Sequence, residues 1–320
     1  DRFQTPEVLL SYTDKGFTGM TQNSHHFITK HLIRSSFVNK PRPVLINNWE
    51  ATYFEFTEEK ILQLAQVASR VGIELFVLDD GWFGKRNNDE SSLGDWKVNL
   101  DKLPNGLNGL AERINELGMK FGLWFEPEMI SIDSDLYREH PDWAIHIEGR
   151  LPIYSREQLV LDLTKQEVCD YIIDNVSSIL ESANITYVKW DMNRNITNIP
   201  EGLANDQRFE FHHRYMLGLY RVLDHLTKRF PDILFESCAG GGGRNDLGIM
   251  YYMPQAWASD DTDAIERLSI QEGTSLIYPP SSIGAHVSAV PNHQVGRITP
   301  LATRGNVAMM GGAFGYELDL

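Results

Sequence analysis

Read for the spacing of its apolar residues, the chain alternates between two patterns. Short runs rich in β-branched and aromatic residues, such as VLINNWEA, IELFVLDDGW, KFGLWFEPEM, ITYVKWDMN and DILFESCAGGGG, are largely apolar before they reach polar or charged ends, as strands buried on both faces are. Between them lie longer stretches with apolar residues at helical spacing. TEEKILQLAQVASRVG opens on Thr57 with two glutamates in its first turn and closes at Gly72, the pattern of a capped helix. LPNGLNGLAERINELG, KQEVCDYIIDNVSSILESAN, RFEFHHRYMLGLYRVLDHLTKRFP and DAIERLSIQEGTSLI read the same way, and a further helix is predicted from Pro300 to Met310. LVLDLT, AWASDDTD, IGAHVSAV and AFGYELDL complete nine candidate strands. Residues 1 to about 40 carry no sustained period and read as a polar, turn-rich lead-in. The adjacent His25 and His26 point in different directions and suit a surface or capping role rather than a metal site.

Strands alternating with helices build a parallel sheet, and their number favours a closed (β/α)8 barrel, an α/β fold, over an open doubly wound sheet. Nine candidates are one too many. LVLDLT is the shortest and is expected outside the ring, which leaves AFGYELDL as the eighth barrel strand. The 320 residues suffice for one such domain over 41–320. Because the chain opens on Asp1 and stops just after a strand-like run, it also reads as a domain cut from a longer polypeptide, ending before the last barrel helix.

Composition narrows the function. A net charge of −15 without clustered Lys and Arg argues against nucleic acid. No stretch approaches the roughly 18 apolar residues of a membrane span, and no signal-peptide pattern opens the chain. Cys169 and Cys238 lack CxxC spacing and form neither a disulfide framework nor a zinc site, which fits a cytoplasmic setting. No GxGxxG follows the first strand, and CAGGGG lacks the Lys-Ser/Thr of a phosphate-binding loop. Those glycines are read as letting backbone approach a ligand closely.

Active sites of such barrels lie at the C-terminal ends of the strands. Lined up there, the strands offer Trp49; Asp79 and Asp80; Trp124 with Glu126; Lys189 and Asp191; Cys238; and Trp257 with Asp260. Recurrent acids serve either divalent-metal binding or cleavage of a glycosidic bond. A metal site would recruit histidine or asparagine among the acids, and no histidine stands at these ends before His286. Two working carboxylates with aromatic walls fit the glycosidic reading better.

LDDGWFGKRN, LWFEPEM, SREQLVLDL, YVKWDMNR, ESCAGGGGRNDLG and WASDDTDAIERL, in this order and spacing, resemble the bacterial α-galactosidases of glycoside hydrolase family 36 over essentially the whole chain. The resemblance implies a catalytic barrel flanked by an N-terminal β-sandwich and a C-terminal β domain, in a homotetrameric full-length protein acting on small-molecule galactosides without metal or cofactor. By position it makes Asp191 the nucleophile and Asp260, rather than Asp261, the general acid/base. Asp79 and Asp80 would hold the 4- and 6-hydroxyls; Lys189 and Arg156 would bind other ring hydroxyls. Asn193 and the backbone from Cys238 to Gly241 would lie near the 2-hydroxyl, and Trp49, Trp124 and Trp257 would wall the pocket. Lys189 is expected to favour the ionised form of Asp191, and burial or the neighbours Asp261 and Asp263 to keep Asp260 protonated. A non-catalytic sugar-binding fragment, an α-N-acetylgalactosaminidase and a galactosyl transferase remain the alternatives.

Overall fold

The computed structural model describes residues 5–147, 149–200 and 208–320. Eight parallel strands close into a ring in the order β1 (Leu45–Asn47), β2 (Leu75–Leu78), β3 (Lys120–Phe125), β6 (Ile185–Trp190), β7 (Leu234–Ser237), β8 (Gln255–Trp257), β9 (Ile283–Ser288) and β10 (Ala313–Glu317). The ring closes where β10 pairs with β1, Leu45 opposite Gly315. The (β/α)8 barrel expected from the alternation of patterns is the fold observed. β4 (Met129–Ile130) and β5 (Leu159–Val160) pair antiparallel outside the ring. LVLDLT is thus the surplus strand, and AFGYELDL supplies the eighth.

Period-two alternation decides what each strand sends inward. Leu45, Leu75, Val77, Tyr187 and Leu234 meet as a small buried cluster on the barrel axis. Gly122 stands opposite Tyr187, and a Cβ there would come within 2.9 Å of the tyrosine, so the glycine makes room for the ring. One step of two further along the strands, the inward positions become Asn47, Asp79, Trp124, Lys189, Glu236 and Trp257. Another step brings Asp191 and Cys238. The interior therefore changes from apolar to charged toward the C-terminal mouth. The alternate residues, among them Ile46, Phe76, Leu78, Phe121, Leu123 and Val188, point outward into the large core beneath the helices.

Helices end where their caps dictate. Thr57 accepts a hydrogen bond from the Lys60 amide and opens the helix Glu58–Arg70, whose apolar stripe of Ile61, Leu62, Ala65 and Ala68 covers the sheet. Two local readings change. Trp49 does not end β1 but begins a one-turn helix, Trp49–Thr52. The lead-in contains a helix, Gly16–Phe27, continued by a π-helical turn over Ile28–Leu32. GFTGMTQNSHHF has few helix formers and no apolar stripe, so only tertiary contact supports it. Thr21 Oγ1 donates to the Leu276 carbonyl (2.9 Å), and the His25 ring bonds the Ser275 carbonyl (2.7 Å), the capping role expected of that histidine. Residues 1–4 of the lead-in, and Glu148 in the segment between β4 and β5, lie outside the described residues.

Candidate active site

At the strand ends lies a cavity of about 250 Å3 lined by Trp49, Asp79, Asp80, Trp124, Arg156, Lys189, Asp191, Asn193, Trp257 and Asp260, together with Glu50, Thr262, His293, Gln294 and Glu317. Ten of the twelve residues given a catalytic or binding role from the sequence are therefore in its wall; Glu126, also noted at a strand end, is not. The other two of the twelve stand behind Asp260. Cys238 is buried with its Sγ 3.9 Å from Asp260 Oδ1, and Gly241 packs on the Ser259–Asp260 backbone.

Asp191 follows β6, and its backbone amide donates to the Phe125 carbonyl of the neighbouring strand (2.7 Å). Three N–H groups reach its carboxyl. Trp124 Nε1 and Asn193 Nδ2 donate to Oδ2 (3.1 and 2.8 Å), and the Met192 amide donates to Oδ1 (2.9 Å). Both oxygens act as acceptors, and the bonds fix where the carboxyl points. Asn193 is held in turn, since its Oδ1 accepts from the Gly240 amide (3.1 Å) and its own amide donates to the buried Glu126. Burial, reinforced by the charge of Asp191, raises Glu126 to about 8.

Lys189 is near enough to Asp191 for their charges to interact, and its direct partner is Asp79: Nζ lies 2.9 Å from Asp79 Oδ2 in a buried ion pair. Burial alone would lower the Lys189 pKa. The charges around it, Asp79 foremost and including Asp191 and Glu317, outweigh that and hold it well above its usual value. Asp79 also accepts from Asn47 Nδ2 (2.5 Å), while its amide donates to Asn48 Oδ1 (2.7 Å). The Asn47-Asn48 pair at the end of β1 thus stitches that strand to the end of β2. Asp80 takes a forked interaction from buried Arg86, with Nε and Nη2 at 3.0 and 2.9 Å. Burial raises the Asp80 carboxyl, with Arg86 opposing.

Asp260 follows β8. Burial raises its carboxyl, and the charge of Asp191 across the cavity raises it further, with Lys189 opposing and Glu317 adding. The elevated carboxyl is the behaviour anticipated, but its acidic neighbours are Asp191 and Glu317, not Asp261 and Asp263. Asp261 accepts the Asp263 amide in the turn (2.9 Å). Asp263 caps the following helix and pairs with Arg297. Neither lines the cavity.

Glu50, Glu317, His293 and Arg86 were not picked out from the sequence. Glu50 accepts from Thr262 Oγ1 (2.9 Å), and burial together with the charge of Glu317 raises it to about 8. Glu317 pairs with His286 (3.0 Å), whose ring lies 4.3 Å from that of Trp257. That hydrogen bond and the charge of Lys189 outweigh burial and lower the Glu317 pKa. Glu317 could have been found, because it stands two residues after Gly315 at the end of the eighth predicted strand. Glu50 was hidden by the reading of Trp49 as a strand end.

The wall carries six carboxyl groups against two permanent cations, Lys189 and Arg156, which disfavours anionic ligands and suits a neutral polyhydroxyl one. Hydrogen-bonding groups, indole rings and two strand-end carboxyls with contrasting environments are what breaking a glycosidic bond requires. Fold and site together define a barrel of the glycoside hydrolase kind. Residues 2–320 match the family model for Melibiase, and the chain belongs to that family. It is 61% identical to alpha-galactosidase AgaA of Geobacillus stearothermophilus over 321 residues, covering 100% of this chain and 44% of the relative. It is 57% identical to alpha-galactosidase Mel36A of Lactobacillus acidophilus, again with 100% and 44% covered. A solved structure of an AgaA variant in complex with raffinose, a GH36 alpha-galactosidase, superposes with a TM-score of 0.95 at 61% identity, over 97% of this chain and 43% of that one. The resemblance to glycoside hydrolase family 36 drawn from the motifs is borne out. The chain spans less than half the length of these relatives.

Proposed function

We propose that this chain is the catalytic barrel of an α-galactosidase that removes terminal α-linked galactose with retention of configuration. The observation that carries this reading is the contrast between two carboxyls facing one cavity. Asp191 receives three N–H donors, and Asp260 is pushed toward its protonated form. In the first step Asp191 attacks the anomeric carbon while Asp260 gives its proton to the departing glycosidic oxygen. In the second, water that loses a proton to Asp260 displaces Asp191 and releases galactose. The dry pairing of Lys189 with Asp79 and of Arg86 with Asp80 orients two acceptors toward the hydroxyls at the closed end of the sugar. Arg156 and Asn193 contribute polar contacts, and Trp49, Trp124 and Trp257 present ring faces to its apolar side.

A cavity of about 250 Å3 lies just below the range of roughly 300–1,000 Å3 typical of drug-sized ligands. This supports an exo-acting enzyme that encloses one terminal galactose and leaves the remainder of the oligosaccharide outside. Raffinose and stachyose are bound in solved structures of AgaA variants, and galactosides of that type are the substrates proposed here. The proposal extends to a cytoplasmic homotetramer in which this barrel lies between a β-sandwich and a C-terminal β domain.

Release of p-nitrophenol from p-nitrophenyl α-galactoside tests the assignment. The activity is expected to fall by at least about 10³-fold in Asp191→Ala, with galactose binding retained. Activity that survives Asp191→Ala rejects the nucleophile. Equal or faster turnover of the α-N-acetylgalactosaminide rejects the substrate.

A further inference from the structure

Arg267 lies on the helix Ala264–Ser275 and is 3% exposed. It is absent from the cavity wall. Long helical side chains lean back toward the N-terminus of their helix, and Arg267 does so across the turn that precedes its own. Nε donates to the Asp261 carbonyl and Nη2 to the Ser259 carbonyl, both at 2.7 Å, so the guanidinium fastens the backbone on either side of Asp260. Nη1 donates to the Gly284 carbonyl in β9 (3.1 Å), which ties the same group to the barrel wall. The guanidinium carbon lies 4.3 Å from the centre of the Trp257 ring, a cation–π contact with the residue that ends β8. Burial brings its pKa down to about 10 despite the surrounding carboxylates.

The opposite side of this turn is closed by backbone. Gly241, at φ +81°, sits so near that a Cβ would lie 2.5 Å from the Asp260 amide nitrogen and 2.7 Å from the Ser259 Cα. Asp260 is thus held between a glycine-rich loop and one arginine whose planar fork satisfies two carbonyls at once, a task for which the point charge of lysine is poorly shaped.

We propose that Arg267 is the positioning residue for Asp260: its fork on the Ser259 and Asp261 carbonyls holds the Asp260 carboxyl where it can protonate the departing oxygen. The inference rests on the acid/base role assigned above. A positioned general acid contributes about 10²–10⁴-fold, and the contribution is larger when the leaving group is a poor one. A sugar leaving group needs the proton. p-Nitrophenol, a much stronger acid, needs it far less.

The test measures kcat/KM, which reports the step in which the leaving group departs and not the later attack of water, on raffinose and on p-nitrophenyl α-galactoside, for full-length wild type, Asp260→Ala, Arg267→Met and Arg267→Lys. Asp260→Ala provides the reference. Arg267→Met is expected to lose at least about tenfold more kcat/KM on raffinose than on the aryl galactoside, and Arg267→Lys to fall between it and wild type. Proportional loss of kcat/KM on both substrates in either folded variant, or no loss on either, overturns the inference, because proportional loss is what mere support of the Trp257 wall would give. If Arg267→Met does not fold, Arg267→Lys carries the same comparison. An Asp260→Ala variant that loses both substrates equally overturns the acid/base assignment itself, whereas the selective loss in Asp260→Ala without it in the Arg267 variants overturns the role of Arg267 alone.

Discussion

Two buried groups beside the candidate nucleophile have consequences that can be read at single residues. Glu126 keeps its proton to about pH 8 in the folded protein, against an ordinary value of 4.5. The folded state therefore binds more protons than the unfolded chain between these values. Its contribution to stability is fully present below about pH 4.5 and is lost as pH rises through 8, with a slope approaching about 1.4 kcal/mol per pH unit. Glutamine at this position can still accept from Gln158 and from the Asn193 amide, and it has no proton to lose. Urea-denaturation midpoints measured from pH 5 to 8 should decline less steeply in Glu126→Gln than in wild type. Lys189 poses the opposite case. Removing its charge leaves Asp79 buried and uncompensated, so Lys189→Met is expected to lose about 3–5 kcal/mol in urea unfolding. Galactose affinity, measured by calorimetry, should fall with it.

At the level of elements, the turns after β7 and β8 place Asp260 by close approach. Gly241 combines a positive φ with contact against the Asp260 amide, so an added methyl group is both strained and in collision. Gly241→Ala is expected to cost more than about 1 kcal/mol in thermal unfolding and to depress kcat more than KM. An unchanged kcat would show that the turn accommodates the methyl group without moving the acid. Much at this scale was legible in the chain. The helix Glu58–Arg70 has the cap and stripe that TEEKILQLAQVASRVG announces. The helix Gly16–Phe27 does not announce itself, because its support comes from carbonyls about 250 residues away. Lys189 and Asp191 were legible as neighbours on one strand face. That Lys189 would choose Asp79 was not, because β2 and β6 are separated by β3 in the ring and the two side chains meet only across its interior.

For the whole molecule, stability and catalysis draw on different layers. Leu219, fully buried on the helix Phe211–Arg229, belongs to the core outside the ring rather than to the cavity wall. Leu219→Ala is expected to lower stability by about 2–5 kcal/mol, read by urea unfolding, while kcat per folded molecule stays constant. A change in kcat would mean that the outer core and the mouth of the barrel are mechanically coupled. By itself the sequence determined the alternation of elements, the surplus strand and eight of the cavity's residues, because periodicity, caps and strand-end positions are local properties of the chain; the family, Arg156 and Asn193 came from the resemblance of its motifs. Only the tertiary structure decided the partners: Lys189 with Asp79, Arg86 with Asp80, Glu50 with Thr262, Glu317 with His286, and Arg267 behind Asp260. Those pairings depend on which strands ring closure brings face to face and on how far each side chain reaches, and neither is written in the order of residues along one strand.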